Sequence, residues 1–129
     1  MTDPFPPDVV RFLDTHVESI DQLEMLRVLG EDPDRGWPVS ALAVEVQAAP
    51  GAVAGHAATL RARGLVATAG PEGDPVCRFA PATPELDALT RRVLGLYRER
   101  PVSMIKFVYA RAADPLRAFA DAFRLRKEG

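Results

Sequence analysis

Residues 50–79 read PGAVAGHAATLRARGLVATAGPEGDPVCRF, and this stretch decides the fold. Pro50 suits a first helical turn, because its missing N–H is one that no helix satisfies there. Val53, Ala57 and Leu60 follow at i, i+4 and i+7, the spacing of one helical face. Gly64 stops the helix. Leu65–Thr68 and Val76–Phe79 are then short β-rich runs, and Ala69–Pro75 is a Gly- and Pro-bearing loop longer than a tight hairpin turn. A short helix, a glycine stop and a small strand pair follow one another within thirty residues.

The upstream residues extend the pattern. Pro6-Pro7 precede a helix over Asp8–Val17, with Val9, Phe12, Leu13 and Val17 on one side. Ser19 is a helix cap and Gln22 stands three residues on, the spacing of a capping box. Ile20, Leu23, Leu26 and Val28 or Leu29 form the buried side, and Gly30 is expected to end that helix. Glu31–Gly36 is a turn. Trp37-Pro38 lies before the next helix, with Trp37 a plug in the core. Ser40–Gln47 places Leu42, Ala43 and Val46 at helical spacing, and Ala48-Ala49-Pro50 is a short connection. Downstream, Thr83-Pro84 is a cap followed by proline. It opens a helix to about Arg98, with Leu86, Leu89, Val93, Leu94 and Leu96-Tyr97 along it. Pro101 marks a new start, Val102–Ala110 is a short apolar helix, and Asp114-Pro115 opens a last one with Leu116, Phe119, Ala120 and Phe123 as its stripe.

The two short helices before the strands have the small and aliphatic inner residues that a helix-turn-helix needs where its axes approach. Trp37-Pro38-Val39-Ser40-Ala41-Leu42-Ala43 and Ala54-Gly55-His56-Ala57-Ala58-Thr59-Leu60-Arg61-Ala62-Arg63-Gly64-Leu65-Val66 together resemble the bacterial winged helix-turn-helix regulators, broadly MarR-like and ArsR-like. The sharpest part is the closing Leu60 to Val66 pattern. The resemblance spans about residues 19–79. It implies a mainly α fold with a two- or three-stranded β wing and further C-terminal helices. It also implies a recognition helix over about 50–63, a wing over about 69–75, and binding to double-stranded DNA as a homodimer. The division expected is a winged-helix domain with its N-terminal helix over 1–82 and a helical extension for dimerisation or partner binding over 83–129.

Carried onto this sequence, the resemblance has Val53, Ala57 and Leu60 seat the recognition helix. Gly51, Ala52, Gly55, His56, Thr59 and Arg63 face outward. The DNA-binding set is Gly55, His56, Thr59, Arg61, Arg63 and Arg78. That set is poor in donors. Base reading favours Arg, Lys, Asn or Gln in the groove, whereas residues 50–58 hold no Lys or Arg and the wing carries Glu72 and Asp74. A winged helix used for contact with another protein is therefore the alternative function.

Net charge is −2, which exerts no general pull on nucleic acid. Its distribution is uneven: residues 1–36 hold nine acids and three bases, and residues 81–129 hold six acids and ten bases. The two ends can attract each other within a subunit or across a dimer. Phe107, Tyr109, Phe119 and Phe123 are candidate interface anchors, since aromatics combine large area with few rotamers; the alternative is that they complete the monomer core. A helix lying on a membrane surface is a further, weaker reading of the basic C-terminal third.

No apolar run approaches the ~20 residues that span a bilayer. The acidic, proline-bearing start is unlike a signal peptide, so a cytoplasmic protein without membrane attachment is expected. The single cysteine, Cys77, excludes an internal disulfide and a thiolate-rich zinc site. It is either a small core residue or a redox-sensing thiol. With two histidines, His16 and His56, no phosphate-cradling glycine loop and no nucleophile–base spacing, the sequence points away from an enzyme and calls for no cofactor or metal.

Overall fold

The computed structural model describes residues 4–112. Its elements run α1 (Pro7–His16), α2 (Ile20–Glu31), β1 (Trp37–Pro38), α3 (Val39–Val46), α4 (Pro50–Ala62), β2 (Val66–Ala69), β3 (Val76–Phe79), α5 (Pro84–Glu99) and α6 (Pro101–Ala112). The stripe at Leu116, Phe119, Ala120 and Phe123 lies outside the described residues.

The local signals explain most boundaries. Ser19 Oγ accepts from the Gln22 N–H at 3.3 Å, which starts α2. The returning arm of this box is shifted by one residue: Gln22 Oε1 accepts from the Glu18 N–H at 2.9 Å rather than from Ser19. Thr83 Oγ1 accepts from Leu86 N–H at 3.0 Å and starts α5. Helix α4 closes with Leu65 N–H on the Leu60 carbonyl at 3.0 Å and Gly64 N–H on that of Arg61 at 3.0 Å. Gly64 sits at φ +77°, where a side chain is disfavoured. The glycine in the Gly-Leu-Val sequence is thus required by backbone geometry.

Gly30 does not end α2, which continues to Glu31. A Cβ at Gly30 would stand 2.8 Å from Leu94 Cδ1. The glycine lets α5 approach α2 closely, a tertiary demand that local sequence does not announce.

The sheet is antiparallel in the order β1-β3-β2, with Trp37 opposite Cys77 and Val66 opposite Phe79. Trp37, Cys77 and Phe79 point inward and are buried. One apolar core, with members from Phe5 to Val108, includes Phe12, Leu23, Leu26, Leu42, Leu60, Leu65, Val93 and Met104. Among the described residues no helix is long and apolar enough to cross a membrane.

The charge asymmetry resolves inside the subunit. Arg92 pairs with Asp8, and Arg111 forks onto Asp14, with one N–O distance of 2.7 Å. Arg100 donates to the Pro4 carbonyl and lies over the Phe5 ring. Tyr97 donates to Glu24, which Arg27 also holds. Basic α5 and α6 are therefore stitched to the acidic N-terminal segment.

Candidate nucleic-acid interface

Helix α4 rests on α3 and α2. Val53, Ala57 and Leu60 are buried beneath it, against a layer that includes Leu42 and Ala43. Its opposite face is open to solvent along the helix at Gly51, Ala52, Ala54, Gly55, Ala58, Arg61 and Ala62. Among the described residues a Cβ placed on Gly55 would meet nothing within 4 Å, so their packing gives no reason for a glycine there.

The turn between α3 and α4 carries the one non-glycine residue with positive φ among those described, Gln47 at +57°. Its N–H bonds to the Val44 carbonyl and that of Ala48 to Ala43, the closure for which glycine is the usual residue. Gln47 is exposed, three residues before the first residue of α4. Sequence reasoning passed over this residue. The signal available was a Gln in the turn position where a helix stop ordinarily holds Gly or Asn.

The four polar residues between 56 and 63 divide. Thr59 donates to the Gly55 carbonyl at 3.1 Å within its own helix. His56 and Arg63 turn toward α2 and the α1–α2 connection: the His56 Nδ1 is 3.2 Å from Gln22 Nε2, its Nε2 is 3.9 Å from Asp21, and Arg63 pairs with Glu18. Gly55 and Arg61 remain on the open face. Arg78 is exposed on β3 and donates through Nε to the Asp34 carbonyl at 3.3 Å.

The wing is docked rather than splayed. Asp74 accepts from the Ser40 N–H at 2.9 Å and from the Ser40 hydroxyl at 2.7 Å, and Val39 N–H bonds to the Pro75 carbonyl. These two hydrogen bonds from Ser40 hold the Asp74 carboxyl below the usual aspartate range. Its charge sits at the N-terminal end of α3, where the helix dipole favours it. Glu72 stays exposed at the tip.

Cys77 is buried on the inner face of β3, and desolvation pushes its thiol up to about 11. That environment suits a packed thiol and opposes thiolate chemistry. Phe107 is half-buried and meets Phe5 edge-on at 5.6 Å, and the Arg111 guanidinium lies over the Phe107 ring, 4.6 Å from its centroid. Tyr109 is 67% exposed, and Val102 and Ile105 open on the same helix. Phe119 and Phe123 lie outside the described residues. Among the described residues no His, Cys, Asp and Glu group could hold a metal ion.

Comparison with solved structures places this geometry among winged helix-turn-helix proteins. Reduced HlyU from Vibrio cholerae matches with a TM-score of 0.53 at 23% identity, over 70% of this chain and 88% of that one. The homodimeric winged helix-turn-helix DNA-binding domain Mb0332 from Mycobacterium bovis, a possible ArsR-family regulator, matches with a TM-score of 0.53 at 18% identity, covering 73% and 82%. A MarR family protein from Mycobacterium tuberculosis matches with a TM-score of 0.51 at 21% identity, covering 95% and 84%. No protein-family model and no curated protein matches the chain. The chain has the winged helix-turn-helix fold, shared with several regulator families at low identity.

Proposed function

We propose that this protein is a winged-helix transcriptional regulator of the cytoplasm that binds double-stranded DNA as a homodimer, with α4 in the major groove and the β2–β3 loop beside it. Residues 1–82 would carry the DNA contact and residues 83–129 the dimer or partner contact, with Phe107 and Tyr109 as candidate anchors. The observation that carries this reading is the open face of α4 around Gly55. A mid-helix glycine is less favourable than alanine by about 0.8–1.0 kcal/mol. Here no neighbour among the described residues requires it, and close approach of an outside backbone would. The contact set is Gly55, Arg61 and Arg78, with Thr59 along the edge, joined by Gln47; His56 and Arg63, tied to Gln22 and Glu18, hold the helix rather than the DNA. The N–H groups of the first turn of α4, which has no side-chain cap, are available to a phosphate.

A gel shift on duplexes selected from a random pool and on the gene's own upstream region tests the reading. Specific binding supports it. Equal displacement by unrelated competitor DNA removes operator control. A second reading, docking of another protein on the same face, is favoured by Val44, which is 79% exposed on α3 beside the alanine-rich surface of α4. Failure to retain any duplex would leave that reading in place.

A further inference from the structure

We infer that Gln22 and Glu18 are positioning residues that set the rotation of the recognition helix through His56 and Arg63. Helix α4 is unusual in being small-sided all round: alanines occupy the inner position 57 and the outer positions 52, 54, 58 and 62. Burial therefore distinguishes its faces weakly. Its two large inner anchors, Val53 and Leu60, are seven residues apart and lie nearly on one line along the helix. Two points on a line fix where a rod lies and leave it free to rock about that line.

His56 and Arg63 each follow an anchor by three residues, so they lie about 60° round the helix from it. Both are tied. Gln22 is fully buried, and its Oε1 is committed to the Glu18 N–H at 2.9 Å. That assigns Nε2 as donor to His56 Nδ1, and in the neutral ring it puts the proton on Nε2, toward Asp21. A buried amide has no water to turn to, so this bond holds one angle of α4 against the others. The Glu18 carboxylate holds Arg63 two turns further along the same line. The residue pair at the α1–α2 junction thus supplies the second line of attachment that the alanines cannot.

The attitude of α4 is readable without DNA, so the test separates this inference from the proposed function on which its consequence rests. In 15N-resolved NMR spectra of the full chain, Gly51 and Gly55 report the open face. His56→Leu and the double variant Gln22→Leu/His56→Leu should keep a cooperative melt, yet broaden or double these two signals. His56→Gln, which restores an acceptor, should return them to single peaks. Any duplex selected by the wild type should bind His56→Leu about tenfold more weakly, the scale of one forfeited hydrogen bond, with an unchanged salt slope. Single, unshifted Gly51 and Gly55 signals in both Leu variants would overturn the inference. Absence of any selected duplex would instead strike the proposed function.

Discussion

Salt dependence offers a test of the interface that can be worked from the cations in view. Two exposed side chains of the winged region, Arg61 on α4 and Arg78 on β3, have no acidic partner among the described residues. Arg63 is spent on Glu18. With two protomers on one duplex this makes about four phosphate contacts, for which log K falls against log salt with a slope of about −3.6. Affinity would then drop about 150-fold between about 50 and 200 mM KCl, a shallow response for a DNA-binding dimer. Arg61→Ala should flatten the slope to about −1.8, whereas Arg63→Ala should leave it unchanged, because that guanidinium is not at a phosphate. Fluorescence anisotropy on a labelled selected duplex reads all three lines. A wild-type slope of about −7 or steeper, or a flatter line for Arg63→Ala, would refute the assignment of contacts.

Gly55→Ala should raise stability by about 0.8–1.0 kcal/mol in chemical denaturation, since its methyl group enters open space, and should weaken binding to the selected duplex. Destabilisation, or unaltered binding, would contradict the role given to that face. Leu60→Ala, at a fully buried position, should cost about 2–5 kcal/mol by the same assay. Asp74 has its folded pKa below the ordinary aspartate value, so its tie to Ser40 adds stability above that value and loses it as pH falls through the lowered one. The Ser40 amide signal should therefore titrate below the usual aspartate range, and Asp74→Asn should abolish the titration. Cys77, buried with its thiol near 11, should react with a thiol reagent at neutral pH at the rate of unfolding, and fast labelling of the native protein would show the site to be open.

The fold was largely legible because its signals are local. A cap at Ser19, another at Thr83, and a glycine forced to positive φ at 64 are each written within six residues. What escaped was set by neighbours distant in sequence. Gly30 resembles a helix stop until Leu94 is seen against it. The two-residue β1 is too short for alternation to register, and only pairing with β3 makes it a strand. At the candidate site, periodicity located the buried line of α4 but not its flanks. His56 and Arg63 fall at the border between inside and outside, where partners on α2 and in the α1–α2 connection decide which way a side chain turns. Gln47 is marked in the sequence only by standing where a helix stop ordinarily holds Gly or Asn, and its positive φ shows only in the backbone.

The stitches between Asp8 and Arg92 and between Asp14 and Arg111 join residues 84 and 97 positions apart. A ribosome releases α1 well before the two arginines that clasp it. Residues 20–79 could collapse around their own leucines while the opening helix still waits for the positive charges that will hold it. Helix α1 is thus made well before the residues that fasten it, so a nascent chain stalled before Arg92 lacks both of its clasps.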